Sequence, residues 1–320
     1  MNSALLFLII GFPLLIGGAH ALVRGSGSLA LRLGISELTV GLTVVAMGTS
    51  APELIVSLLS AFQGATDLAV GNVLGSNITN ILLILGLCAV VVPLRMEASI
   101  RWREIPFALL AALVLAALAN DSLLSGSDSS RLDRGDGLAL LGFFAVYLYY
   151  LFSVAKKPED KQSVEVDAPL GLWVSIGLSL AGIFALALGG KWIVEGASGL
   201  AAFLGMSQAL IGLTVVAVGT SLPELATSIA AALRGNADMA IGNVVGSNIF
   251  NVLWILGVTS SVTTVAFNPM LNTDFWVLTG ATLLLFAATW TGSRHRIDRI
   301  EGALFLVLYT TYTAFIVLRG

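Results

Sequence analysis

The chain has 320 residues, of which 57% are hydrophobic and only 11% charged, and its mean hydropathy is +0.95. Soluble domains carry roughly 25% charged residues, so this composition excludes an ordinary soluble protein and predicts an integral membrane protein whose main partner is the lipid bilayer. The net charge of -3 gives no reason to expect nucleic-acid binding.

Apolar stretches follow one another along the chain, each near the roughly 20 residues that a membrane-spanning helix needs. The predicted spans are 3-23, 37-63, 67-92, 104-120, 136-155, 169-189, 207-233, 239-265, 274-291 and 299-318. These ten transmembrane helices predict an all-α fold, in which residues 1-155 and 169-320 are two five-helix halves and residues 156-168 form a cytoplasmic linker. With the N-terminus outside, twelve of the sixteen Lys and Arg residues fall in cytoplasmic loops. We therefore expect both termini outside the cell membrane.

Two segments of the first half recur in the second half with a constant offset of 171 residues. The segment 41-54, GLTVVAMGTSAPEL, returns at 212-225 as GLTVVAVGTSLPEL, and 71-80, GNVLGSNITN, returns at 242-251 as GNVVGSNIFN. An odd number of spans per copy places the second copy upside down relative to the first. The sequence therefore predicts the inverted repeats of secondary transporters, whose sites lie near the bilayer midplane.

Each copy of the first segment carries a proline inside an apolar run. Pro52 and Pro223 lack an N-H group and their rings clash with the preceding turn, so we expect helices 2 and 7 to be discontinuous near Gly48 and Gly219. Non-helical backbone at membrane depth is tolerated only where it meets protein, water or an ion. The breaks therefore predict backbone carbonyl oxygens that are available to a cation.

A carboxylate stands beside each predicted break, at Glu53 and Glu224. A charge at the bilayer centre costs at least about 2.5 kcal/mol, and no Lys or Arg lies near either residue in these spans. Bound cations are the expected counter-charge. The neighbouring polar residues offer hydroxyl and amide oxygens, which suit Ca²⁺ and Na⁺ better than a transition metal; they are Thr49, Ser50, Thr220, Ser221, Ser76, Ser247, Asn80 and Asn251.

At these residues the sequence resembles the sodium/calcium exchanger family of the cation/calcium antiporter superfamily, in the prokaryotic form without a large regulatory loop. The resemblance implies alternating access, with Na⁺ and Ca²⁺ as transported ions and no cofactor. By motif position it makes Glu53 and Glu224 the shared ligands. It further implies oxygen ligands from Thr49 and Thr220, from the sodium-site serines Ser50, Ser221, Ser76 and Ser247, and from the backbone of Ala46 and Ala217.

One position differs from part of that family, because some relatives carry Asp where this chain has Asn251, whereas Asn80 matches the usual amide. The site should therefore hold two carboxylates. One Ca²⁺ neutralises them and three Na⁺ leave a net charge of +1, so exchange at that ratio is expected to be electrogenic. Potassium co-transport, which the resemblance links to an acid at this position, is not expected.

Other interpretations remain open from the sequence. Ser50 with Glu53, and Ser221 with Glu224, also fit a capping box, and the hydroxyl groups could serve helix packing instead. The asparagines Asn72, Asn77, Asn243 and Asn248 suit either packing or gating. Proton/calcium antiport and a passive cation channel are the alternative functions. An enzyme is not expected, because the spans carry no Ser-His, Cys-His or metal-binding His motif. No protein partner is predicted, and a monomer is compatible with the sequence.

Overall fold

The computed structural model describes residues 2–121, 130–155, 170–204, 217–290 and 296–319. The predicted linker 156-168 and the first part of the predicted span 207-233 lie outside these ranges. The helices are α1 Asn2–Leu33, α2 Glu37–Thr49, α3 Ala51–Phe62, α4 Thr66–Val91, α5 Ile105–Leu118, α6 Arg134–Val154, α7 Leu172–Phe203, α8 Ala217–Thr220, α9 Leu222–Leu233, α10 Ala237–Val262, α11 Asn272–Ala288 and α12 Arg299–Arg319.

Seven of the described helices are long and apolar enough to cross a membrane, and the bent pair of α2 and α3 makes an eighth if it is one span. The most apolar windows of α4 and α10 are 78% and 89% buried, whereas that of α12 is only 17% buried. Apolar side chains of the outer helices are therefore exposed on the surface of the molecule. These two central helices, α4 and α10, carry the repeated segments GNVLGSNITN and GNVVGSNIFN.

Two helices are longer than the spans predicted from the sequence, because α1 and α7 continue well beyond the ends of 3-23 and 169-189. Polar residues that we placed outside the membrane continue these helices. Their hydroxyl groups form hydrogen bonds within one helix or between α1 and α7. Ser26 donates to the carbonyl of Leu22 at 2.6 Å, and Ser28 and Ser175 lie 2.8 Å apart. At 1.5 Å per residue, 32 residues exceed the roughly 30 Å of hydrocarbon, so the apolar runs mark only part of each helix.

Glycines at every seventh position bring α1 and α7 into close contact. Gly11, Gly18 and Gly25 face α7, while Gly182, Gly189 and Gly196 face α1. A methyl group on Gly18 would lie 2.8 Å from the backbone nitrogen of Leu186, closer than non-bonded atoms allow. Small residues of this kind let two membrane helices pack backbone to backbone. The two glycine sets are related by the same offset of 171 residues.

Two short antiparallel strand pairs connect loops from different parts of the chain. Strand β1, Leu94–Arg95, pairs with β4, Arg296–Ile297, and strand β2, Arg131–Leu132, pairs with β3, Val265–Ala266. Each pair joins a residue range from the first predicted half to one from the second. The loops at the ends of α4 and α10 are thus fixed by backbone hydrogen bonds.

Candidate ion-binding site

The break in the second predicted span lies at Ser50, between α2 and α3, where the helix axis bends by 44°. Our sequence-based position near Gly48 is therefore about two residues too early. Proline is well accommodated in the first turn of a helix, so the new helix begins at Ala51 with Pro52 immediately after it. The second copy behaves alike, since Ser221 separates α8 from α9.

The position of this break changes the interpretation of the Ala46 carbonyl. That oxygen accepts a hydrogen bond of 3.0 Å from the Ser50 backbone N-H, so the proline does not leave it unpaired as we expected. The Thr49 hydroxyl lies 3.4 Å from the same oxygen. A carbonyl has two lone pairs, so the Ala46 oxygen can bind a cation with the second when the Thr49 hydroxyl donates to its nearer acceptor, the Asn243 oxygen at 3.2 Å. Ala217, its counterpart, begins α8.

The two carboxylates are buried beside the breaks, and both Glu53 and Glu224 are only 1% exposed. They lie near enough to repel one another electrostatically. Glu53 receives no hydrogen bond of ordinary distance and angle within the described residues, although the Thr220 side chain lies beside it. Two negative groups so placed favour the binding of a cation between them.

Residues from one half of the chain contact the carboxylate of the other half. The Ser50 hydroxyl donates to Oε1 of Glu224 at 3.1 Å, while Oε2 of Glu224 has no donor among the described residues. Neither Ser50 nor Ser221 caps the helix that follows it. The capping-box interpretation is therefore not observed for either serine, and Ser50 points toward the opposite glutamate.

Asparagines that we left undecided between packing and gating attach each glutamate-bearing helix to its neighbour. The Asn72 amide donates to the Glu53 carbonyl at 3.4 Å and to the Ser57 hydroxyl at 3.0 Å. Asn243 makes the equivalent contacts, to the Glu224 carbonyl at 3.3 Å and to Ser228 at 2.9 Å. Its oxygen also accepts from Thr49 at 3.2 Å. Both asparagines thus fix the backbone that carries the acids.

Several other buried oxygens, on α4, α9 and α10 and at the Ser221 break, have no hydrogen-bond partner within the described residues. They are Oδ1 of Asn80, Oδ1 of Asn251, Oγ of Ser221, Oγ of Ser247 and Oγ1 of Thr227. Buried polar atoms are nearly always paired, and each exception needs an explanation. Together with the carboxylate oxygens of Glu53 and Glu224, these amide and hydroxyl oxygens form a set with the chemistry of a site for a hard cation such as Ca²⁺.

A cavity of about 70 Å³ reaches this region between α4, α8 and α12. Its lining includes Asn72 and Ser76 of the polar face of α4, together with Tyr309 and Thr313 of α12. Ser76 donates to the Val73 carbonyl at 3.2 Å and accepts from the Asn251 amide at 3.0 Å. The cavity gives a small ion or water room beside one end of the site.

The structure thus brings together residues from all four predicted segments. Residues that sequence analysis did not select for the site are Ser57, Ser228 and Thr227, although the offset of 171 relates the first two and could have indicated them. The π-helical turns at Gly41–Val45, Thr79–Leu85 and Asn251–Ile255 were not predicted either. Such turns occur frequently at functional sites.

The family described as "Sodium/calcium exchanger protein" matches residues 3–153 and 174–318. This chain belongs to the sodium/calcium exchanger family. Members of that family are membrane transporters rather than enzymes. The match extends over both copies of the acidic motif, so the family assignment covers the candidate site as well as the fold.

Individual relatives of this exchanger family member resemble the chain over nearly its full length. CaxA of Alkalimonas amylolytica is 39% identical over 98% of both chains, and the sodium/calcium exchanger MaX1 of Methanosarcina acetivorans is 31% identical over 96% of both. A solved structure of the sodium-calcium exchanger NCX_Mj, soaked with 2.5 mM Na⁺ and 0.1 mM Ca²⁺, superposes with a TM-score of 0.83. It is 32% identical and covers 97% of each chain.

Proposed function

We propose that this protein is a secondary active antiporter that exchanges Ca²⁺ for Na⁺ across the membrane by alternating access. The observation that carries the proposal is that buried oxygens of Glu53, Glu224 and other residues of the two motifs have no hydrogen-bond partner in the described part of the chain. Hard cations take such ligands, and a mobile ion supplies the missing positive charge without a fixed Lys or Arg.

The proposed ligands come from both copies of the motif. They are Glu53, Glu224, Thr49, Thr220, Ser50, Ser221, Ser76, Ser247, Asn80 and Asn251 through their side chains, and Ala46 and Ala217 through their carbonyls. The contact from Ser50 to Glu224 supports a site shared between the halves. The matching contacts of Asn72 and Asn243 support equivalent roles for the two motifs.

The proposed architecture has ten transmembrane helices in two inverted repeats, residues 1-155 and 169-320, joined by a cytoplasmic linker at 156-168. The breaks at Ser50 and Ser221, and the equivalent glycine faces of α1 and α7, support it. By the distribution of Lys and Arg, both termini lie outside the cell membrane.

The charge balance of the site makes the exchange electrogenic. Two carboxylates are neutralised by one Ca²⁺, whereas three Na⁺ leave a net charge of +1 on the transporting site. A transport cycle with this ratio moves one positive charge per turnover. Membrane potential should therefore change the rate of calcium uptake.

The test is uptake of radioactive Ca²⁺ into vesicles that contain the purified protein, under an imposed gradient of Na⁺, H⁺ or K⁺. We expect uptake only into sodium-loaded vesicles. Uptake should be faster when a potassium diffusion potential makes the interior positive, because three Na⁺ leaving for each Ca²⁺ that enters carry one positive charge outward. An inside-negative potential should slow it. Glu53→Gln is the inactive control.

Uptake driven by a proton gradient alone would replace Na⁺ by H⁺ as the counter-ion. Uptake without any counter-ion gradient would instead indicate a passive channel. Sodium-driven uptake that is unaffected by potential would contradict the charge argument while leaving exchange intact.

A further inference from the structure

Four asparagines connect α4 to α10 at the centre of the molecule. They are Asn77 and Asn80 of α4, and Asn248 and Asn251 of α10, and each is at most 5% exposed. The Asn77 amide donates to the Asn248 backbone carbonyl at 3.1 Å, and the Asn248 amide donates to the Asn77 carbonyl at 3.3 Å. The two central helices are thus held by a reciprocal pair of hydrogen bonds.

These backbone contacts fix which way each amide faces. A backbone carbonyl can only accept a hydrogen bond, so the NH₂ end of Asn77 must face Asn248 and its oxygen must face the other way. That oxygen accepts from the Asn251 amide at 3.0 Å. Asn251 consequently turns its own oxygen away from Asn77, and this oxygen has no donor within the described residues.

Equivalent hydrogen bonds orient Asn248 and Asn80. The Asn248 amide faces the Asn77 carbonyl, so the Asn248 oxygen is left to accept from the Asn80 amide at 3.0 Å. The oxygen of Asn80 is again buried without a donor in the described part of the chain. The oxygens of Asn251 and Asn80 are therefore oriented by Asn77 and Asn248, whose own amide nitrogen and oxygen both form hydrogen bonds.

We propose that Asn77 and Asn248 are positioning residues, which hold the amide oxygens of Asn251 and Asn80 in the orientation that ligates the transported cation. This inference rests on the proposed function. Helix packing alone would not require it, because leaving a buried acceptor unpaired costs about 1–3 kcal/mol. A flipped amide, by contrast, would present its NH₂ group to a cation and repel it.

The pair Asn77–Asn251 and the pair Asn248–Asn80 are not equally constrained. Asn251 also donates to the Ser76 hydroxyl at 3.0 Å, so a second contact holds its amide when Asn77 is removed. The bond to Asn248 is the one that orients Asn80 within the described residues. Loss of Asn248 should therefore weaken ion binding more than loss of Asn77.

The test is a double-mutant cycle on Ca²⁺ affinity, measured by titration calorimetry on the purified protein in detergent with Ca²⁺ alone. We expect Asn248→Ala to weaken binding about tenfold in the wild-type background, which is about 1.4 kcal/mol. In the Asn80→Ala background the same change should have almost no effect, because the residue that it orients is absent. Asn77→Ala and Asn251→Ala form the second cycle. Asn77→Ala alone should weaken Ca²⁺ binding less than Asn248→Ala alone.

The outcomes separate the two proposals. If the wild-type protein binds no Ca²⁺, the proposed function is wrong and the positioning role fails with it. If the wild type binds but the effects of Asn248→Ala and Asn80→Ala simply multiply, the asparagine only supports the helices and the positioning role alone is wrong. Failure of both Asn77→Ala and Asn248→Ala to fold would also overturn it, since the cluster would then serve stability.

Discussion

Replacing Glu53 by Gln should change ion-free stability and ion binding in opposite directions. Both carboxylate oxygens of Glu53 are buried and receive no hydrogen bond of ordinary geometry within the described residues. Leaving a buried polar group unpaired costs about 1–3 kcal/mol, and more for a charged group. A neutral amide removes most of that charge and the repulsion from Glu224. We therefore expect the ion-free variant to be more stable by about 1–3 kcal/mol.

The same substitution removes a charged ligand from the proposed cation site. Loss of one partner of a buried charge pair costs about 2–5 kcal/mol of binding, which is a roughly 30- to 4,000-fold loss of Ca²⁺ affinity. Saturating ligand at about 100 times its dissociation constant stabilises a protein by about 2.7 kcal/mol. At such a Ca²⁺ concentration the variant should keep at most about 0.9 kcal/mol of this gain, and almost none of it if the loss of affinity is at the upper end of the range.

The assay is thermal unfolding of the purified protein at pH 8, with and without Ca²⁺. Glu53→Gln should melt at a higher temperature than wild type in chelator, and Ca²⁺ should raise its melting temperature much less than that of wild type. Glu224→Gln should gain less in chelator, because Ser50 already donates to one of its oxygens. Glu195→Gln, whose carboxylate is 43% exposed near Lys191, is the matched control and should change neither value. A destabilised Glu53→Gln protein that keeps a full Ca²⁺ response would refute the reasoning.

Three further predictions test other parts of the structure. Gly18→Ala should destabilise the protein by about 1–3 kcal/mol through overpacking, whereas Gly17→Ala, where a methyl group meets nothing within 4 Å, should not; equal melting temperatures would contradict the close approach of α1 and α7. Ser50→Ala should lower ion-free stability by about 1 kcal/mol, because it removes the hydrogen bond from Ser50 to Oε1 of Glu224. Ser221→Ala should be neutral in chelator, and both variants should weaken Na⁺ binding in calorimetry. The backbone N-H groups of Asp136 and Gly135 lower the pKa of Asp133, so the stabilisation that its carboxylate provides is present at neutral pH and is lost as the pH falls through that lowered pKa. The melting temperatures of wild type and Asp133→Ala should therefore converge in acid, and a difference that stays constant with pH would exclude the carboxylate as the cause.

The broken helix shows how far sequence reasoning reached. Proline chemistry predicted a discontinuity in each acidic motif, and the structure places one at Ser50 and one at Ser221. The position was wrong by two residues because a proline both ends one helix and suits the start of the next. The expected family, by contrast, followed from motifs that occur twice, and the family match confirms it.

Features that depend on contacts between distant helices were not accessible from the sequence. The sequence left Asn77 and Asn248 undecided between packing and gating, and it did not predict that they would pair across the centre. That pairing requires the relative position of α4 and α10, which no local pattern specifies. Likewise, hydropathy marked only the apolar parts of α1 and α7, because Ser26 satisfies its hydroxyl by bonding to the Leu22 carbonyl.

The glycine contact between α1 and α7 has a consequence for the origin of the chain. Both surfaces carry glycine at every seventh residue, and the positions on one correspond to those on the other. In a two-fold symmetric homodimer, the same surface of each subunit contacts its own copy, and α1 and α7 meet in this way. A protein of half the length could have formed the same contact with a second copy of itself, and fusion of two such genes would have preserved it.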